Sequence, residues 1–284
     1  MMTQSTIAFI LTACLVAVSA VQAETIRFAP LPMQNQETVI KEFRSLTTYL
    51  EQCLQVTIEY VYSNSYSDIL EKFRRSEVDL AYLGPLPYVE LRSHCAEAEP
   101  LVQFKESSGQ ATYTCAMVSF PDSGFHPAAA EKRKIALTQP LSTCGYLSTS
   151  GLMRHSGGSL ERNYYRYLGQ HDAVALSVLR GEFDAGGLKT AIARKYAHLG
   201  LQVISETAPL PGFALIGNTK TMPIDLMSRL RQELTALDPA GRDKAMLSTW
   251  SDNLRHGTVA ASDRDFQAVR ELLTGAVIPS KGNF

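Results

Sequence analysis

From Thr25 onward the chain alternates between two hydrophobic periods, and that alternation limits its possible folds more than any other feature. Residues 25–29 read as a short strand, and 37–53 carry Val39, Ile40, Phe43, Leu46 and Leu50 close to helical spacing. Residues 56–62 alternate as a strand, 66–76 place Ile69, Leu70 and Phe73 on one helical face, and 78–83 form an apolar run. That run stops at Gly84-Pro85, a strong chain breaker. A β-α-β-α-β order argues for a sheet with parallel pairings, whose ligands bind at the carboxyl ends of the strands.

A polar, glycine-containing stretch at 105–110 is expected to cross into a second α/β unit. That unit is predicted to hold strands at 113–120, 134–137, 183–187 and 203–204, with helices at 160–168, 173–180 and 189–198. Pro209-Leu210-Pro211-Gly212 marks a return crossover, and helices are expected from Ile224, at 246–254 and at 266–273. The fold class is therefore α/β, with two α/β lobes joined by two crossover strands and a cleft between them. The predicted division is 1–23 as a leader, 24–107 and 214–284 as the first lobe, and 108–213 as the second.

The leader sets the compartment. Ile7 to Val18 is almost wholly apolar, and Val21-Gln22-Ala23 puts small residues three and one before Glu24, the layout of a secretory signal. The run is shorter than the roughly 20 apolar residues of a spanning helix. Leu11-Thr12-Ala13-Cys14 also spells a lipobox, the competing fate, but the apolar stretch continues past Cys14. Removal of the leader leaves about 260 residues, enough for two modest lobes. The formal charge of −1 supplies no basic field, so nucleic acid is excluded as a partner and any anion site must be built locally. Cys53, Cys95, Cys115 and Cys144 form no CxxC pair and the six histidines no zinc spacing, so neither metal nor cofactor is expected.

Four segments resemble the phosphate/phosphite/phosphonate-binding family of type II periplasmic binding proteins. They are Tyr66-Ser67-Asp68-Ile69-Leu70 leading to Val78-Asp79 and Gly84-Pro85; Tyr113 entering a strand; Pro140-Leu141-Ser142-Thr143-Cys144-Gly145-Tyr146-Leu147; and His171 followed by Gly181-Glu182-Phe183-Asp184-Ala185. The third is similar to the family's DPxSTSGxL anion loop. Its residue types fit that role on physical grounds: hydroxyls and free backbone N–H groups at a helix start suit a tetrahedral oxyanion. The same residues also serve as ordinary helix caps. A second copy, Ser148-Thr149-Ser150-Gly151, spells STSG literally but lies past the matching Pro140 and before no matching Tyr-Leu pair.

The resemblance implies a periplasmic receptor that captures a small oxyanion for an ABC permease, acting as a monomer. Its implied ligand residues are Tyr66, Tyr82, Tyr113, Ser142, Thr143, Cys144, Gly145 and His171. A sensor kinase as the partner, or arsenite or a sulfur oxyanion as the ligand, is the alternative. Members that bind an amino-phosphonate place acids where this chain has Ala191 and Phe213, so a phosphate, phosphite or phosphonate without an amine is expected. Lys189 lies nearby, either facing the anion or solvated on a helix. Cys144 replaces the family's second serine; with Cys115 it forms either a thiophilic site or a disulfide, which leaves Cys53 and Cys95 to pair. Ser142, His171 and Asp184 are the residue types of a hydrolytic triad, but no GxSxG elbow accompanies them and no catalytic residue is expected.

Overall fold

A computed structural model describes residues 23–33 and 35–284. Residues 1–22 of the predicted leader, Cys14 among them, lie outside the described residues. Among those described, no helix is long and apolar enough to cross a membrane.

Two mixed sheets form the two lobes. In the first, strand Thr25–Pro30 pairs in parallel with Thr57–Tyr60 on one side and Leu80–Leu83 on the other. Strand Ala214–Asn218 then returns antiparallel between Leu80–Leu83 and Ala98–Phe104, and Thr258–Ala260 closes the far edge. In the second, Lys134–Leu137 runs parallel to Tyr164–Tyr167 and Ala185–Lys189, while Cys115–Ser119 lies antiparallel between Ala185–Lys189 and Gln202–Glu206. A two-stranded ribbon of Thr112–Tyr113 against Leu210–Pro211 joins the lobes. These are the two crossovers, held side by side.

Local sequence explains most of these elements. Helix Gln36–Leu54 starts where Asn35 Oδ1 accepts from the Thr38 N–H, and it buries Val39, Phe43, Leu46, Leu50 and Leu54 as one stripe against the first sheet. Burying each such leucine stabilises by about 2 kcal/mol. Asp79 clamps two neighbouring strands by accepting from Arg27 N at 2.8 Å, Nε at 2.9 Å and Nη2 at 2.6 Å. In the second lobe Ala116, Val118 and Ala136 pack on one face of the sheet, and Met117, Ile135 and Leu137 on the other, as strand alternation dictates.

Several expectations are corrected. The predicted helix at 160–168 is a single tight turn, Leu160–Arg162, followed by the edge strand Tyr164–Tyr167. Three tyrosines in four residues favour a pleated surface, and Tyr165 packs inward while Tyr164 is exposed. The predicted helix at 246–254 shrinks to Lys244–Leu247. Beyond Gly84 the chain forms a helix, Pro85–His94, because proline is well accommodated in a first helical turn.

The C-terminal residues leave the first lobe. The Asn283 N–H donates to Tyr165 O at 3.0 Å, its Oδ1 accepts from Tyr165 N at 2.7 Å, and the Tyr167 hydroxyl donates to Pro279 O. The tail thus binds the open edge of the second sheet, covering backbone groups that would otherwise be exposed.

Candidate functional site

The parallel strands of both sheets aim their carboxyl ends at the gap between the lobes. Pro30 leads to Leu31 and Met33, Leu83 to Gly84, Leu137 to the 139–145 loop, and Lys189 ends its own strand there. Helices also begin at this gap, at Tyr66, Pro85, Thr143, His171 and Thr190. Their first-turn N–H groups are free of intrahelical partners and carry partial positive charge. A cavity of about 300 Å³ lies between them.

Of the eight residues predicted to bind, Tyr66, Tyr82, Tyr113, Ser142, Thr143, Cys144 and His171 line this cavity. Gly145 is not among the lining residues, but it shapes the loop. A Cβ there would sit 2.8 Å from Gln139 O and 2.9 Å from the Thr138 hydroxyl, so only glycine lets the backbone pass. Residues Thr143–Leu147 make a wide turn in which the Ser148 N–H reaches back five residues to Thr143 O. Ser142 caps it from an extended conformation, and its hydroxyl has no hydrogen-bond partner among the described residues. The second Ser-Thr copy sits inside the following helix, Ser148–His155. There Ser148 Oγ donates to Thr143 O at 2.6 Å and Thr149 Oγ1 to Cys144 O at 3.4 Å.

Cys144 is disulfide-bonded to Cys115, with the Cα atoms 5.0 Å apart. Its sulfur is therefore neither a donor nor a thiophilic ligand, and the arsenite expectation loses its thiol pair. The bond ties the wide turn to the strand Cys115–Ser119. Cys53 and Cys95 do not pair as expected: Cys53 Sγ donates to Leu50 O and Cys95 Sγ to Glu97.

His171 is held in one tautomer. Its Nδ1 accepts the Lys189 backbone N–H at 3.0 Å, which leaves Nε2 as the protonated nitrogen. Burial, with a further push from the Lys189 charge, lowers its pKa to about 4, so the ring is neutral near pH 7 and donates without carrying charge. Burial raises the pKa of Tyr66, Tyr82 and Tyr113, keeping all three hydroxyls protonated. Asp184, by contrast, accepts from Arg133 Nη1 at 3.1 Å and Lys134 N at 2.8 Å at the opposite end of the strand from Lys189. No triad with Ser142 and His171 forms.

Contacts around the 139–145 loop bridge the lobes. The Leu86 N–H donates to Thr143 Oγ1 at 3.1 Å, the Tyr66 N–H to Gln139 Oε1 at 3.4 Å, and Gln139 Nε2 to Pro32 O at 3.3 Å. Sequence reasoning missed Gln139, Glu106 and the first-turn N–H of Leu86 in the helix that starts at Pro85. Gln139 had one usable signal, its place immediately before Pro140. Lys189, left open between a solvated helix and the cleft, proves to be a strand residue with its side chain 12% exposed, paired to Glu106 at 2.8 Å. Phe213 stacks on Tyr82 with ring centroids 5.3 Å apart and walls the cavity beside Ala191.

Comparison with known proteins agrees with this geometry. Residues 28–266 match the family described as ABC transporter, phosphonate, periplasmic substrate-binding protein. The chain is 24% identical over 274 residues to the phosphate-import protein PhnD of Mycolicibacterium smegmatis, covering 88% of this chain and 85% of that one. Its fold is similar to PhnD1 from Prochlorococcus marinus in complex with methylphosphonate, with a TM-score of 0.77 at 17% identity over 89% of this chain and 98% of that one. The alkanesulfonate-binding protein SsuA from Xanthomonas axonopodis pv. citri, bound to MOPS, is similar at a TM-score of 0.62 and 16% identity, over 92% and 96% of the two chains. This is a family of substrate-binding transport proteins, not of enzymes. The chain belongs to the periplasmic substrate-binding proteins of ABC phosphonate transporters.

Proposed function

We propose that this cleft binds a single phosphate- or phosphonate-class oxyanion through neutral donors and presents it to its permease. One observation carries the proposal. The free Ser142 hydroxyl, the first N–H groups of the wide turn and the Nε2–H of neutral His171 all border one cavity of about 300 Å³ between two lobes. Hydroxyls of Tyr66 and Tyr113 add donors from the first lobe and the crossover, while Tyr82 forms the wall behind them. Uncharged donors and helix starts stabilise a buried anion without a counter-ion. Cys144 contributes its backbone N–H, and Gly145 the close turn that makes the others converge.

Residues 24–107 and 214–284 would form one jaw and 108–213 the other, with the terminal residues after Leu273 strapped across to the second. Ligand contacts from both jaws would favour the closed state by differential affinity. Residues 1–23 would direct export, after which the mature chain works as a monomer in the periplasm.

The deciding experiment is calorimetric titration of the mature protein with methylphosphonate, phosphate, phosphite and sulfate. Binding of a phosphorus oxyanion that weakens at least tenfold in Ser142→Ala supports the assignment. Unaltered affinity in that variant, or no binding of any phosphorus oxyanion, refutes it.

A further inference from the structure

One corner of the cavity has a chemistry different from that of the anion loop. The rings of Tyr113 and Phe213 lie with centroids 5.7 Å apart, and Lys189 Nζ lies over both of them, 5.4 Å from the first centroid and 5.6 Å from the second. The same ammonium donates to Glu106 Oε1 at 2.8 Å. The lysine and glutamate side chains are 12% and 24% exposed, so the pair is largely withdrawn from water. All four residues line the cavity that holds Ser142 and His171.

Two aromatic faces and a carboxylate make a site for a small organic cation. Here the cation is the protein's own side chain. We infer that Lys189 is a specificity-determining residue: it fills a cation subsite from within, so the cleft takes an oxyanion with a short neutral substituent, or none, and rejects one bearing an ammonium group.

The backbone makes the exclusion firm. Lys189 pairs with Cys115 across the sheet, and its N–H is taken by His171 Nδ1, so its Cα cannot retreat. A ligand ammonium in this corner would have to displace Lys189 from Glu106, leaving one of two buried cations without a partner. Breaking a buried ion pair in this way is strongly unfavourable. Lys195, the other lysine bordering the cavity, is different: its side chain is 60% exposed and pairs with Asp172 at the rim.

This inference rests on the oxyanion assignment, and its test keeps the two apart. Methylphosphonate and 2-aminoethylphosphonate are titrated into the wild type, Lys189→Met, Lys189→Gln and Lys195→Met, and the ratio of their affinities is read. The wild type should prefer methylphosphonate by at least 100-fold. Either substitution at Lys189 should narrow that ratio tenfold or more, as Glu106 and the two rings become free for the ligand's ammonium. Lys195→Met should leave the ratio unchanged. Because a ratio is read, a general change in anion affinity through His171 does not imitate the effect.

Equal wild-type affinity for the two ligands overturns this inference alone and leaves oxyanion capture standing. So does an equal narrowing by Lys195→Met, which would reveal long-range charge in place of a subsite. If the wild type binds neither ligand, nor phosphate or phosphite, both assignments fall. An unchanged ratio in a folded Lys189→Met or Lys189→Gln protein also overturns the inference, and the two substitutions are made so that the failure of one to fold leaves the other to be read.

Discussion

Two stretches of this chain have nearly the same letters and opposite employment. Ser142-Thr143-Cys144-Gly145 borders the cleft, whereas Ser148-Thr149-Ser150-Gly151 lies inside the helix that follows. In the first, the Ser142 hydroxyl is uncommitted among the described residues, and Thr143 receives the Leu86 N–H from the other lobe. In the second, Ser148 and Thr149 turn back onto Thr143 O and Cys144 O. Hydroxyls within a helix readily bond the carbonyls one turn behind them. The second copy therefore braces the first. On the proposed function, what suits the first copy to an anion is not its supply of hydroxyls but their place, ahead of the first turn where N–H groups are still free.

The comparison can be broken most severely at the disulfide. Closing 29 residues between Cys115 and Cys144 should stabilise by about 3–4 kcal/mol on a chain-entropy estimate. The double variant Cys115→Ala/Cys144→Ala should lose that much in denaturant unfolding. It should also weaken oxyanion binding, because the first copy is the one the bond anchors.

Next in size is the contrast between the two serines. Ser142→Ala should cost about 1.5–3 kcal/mol of binding, the range of a hydrogen bond to a charged group, with the unfolding midpoint nearly unchanged. Ser148→Ala should do the reverse, costing about 1 kcal/mol of stability with affinity within twofold. A binding loss at Ser148 and none at Ser142 would exchange the roles of the two copies.

The smallest expected effect is on binding between pH 5 and 8. His171 titrates at about 4 when folded, against 6.5 in an unperturbed histidine, so it remains neutral through this window and its contribution to affinity should be flat. Stability behaves differently. The lowered pKa means that the unfolded chain takes up the proton first, so the contribution is full above about 6.5 and is lost as pH falls toward 4. His171→Gln should remove that slope from a plot of unfolding free energy against pH.

Much of the fold was legible because helix and strand leave different periods in the order of residues. The stripe Val39, Phe43, Leu46, Leu50 required a helix, and Pro209-Leu210-Pro211-Gly212 required a break where the ribbon now runs. The segment around Tyr164 was misread because three of its four side chains are large, and a four-residue strand shows barely two periods. The strand Thr258–Ala260 is shorter still, and only its pairing with Ala98–Phe104 identifies it. In the candidate site, seven of the eight expected residues reached the cavity because they sit at element ends, where motif and breaker residues are visible in the chain.

The sequence by itself determined the alternating elements, the helix start at Ser142–Thr143 and the lack of acids at Ala191 and Phe213. These depend on neighbours within a few residues, through backbone preferences and side-chain periodicity. Tertiary structure alone decided that Cys115 bonds Cys144, that Gln139 spans the lobes to Pro32 and Tyr66, and that Lys189 meets Glu106. Those partners lie 29 to 107 residues apart. Nothing local encodes such a meeting, because it is set by how two paired crossovers bring one sheet's carboxyl ends to face the other's.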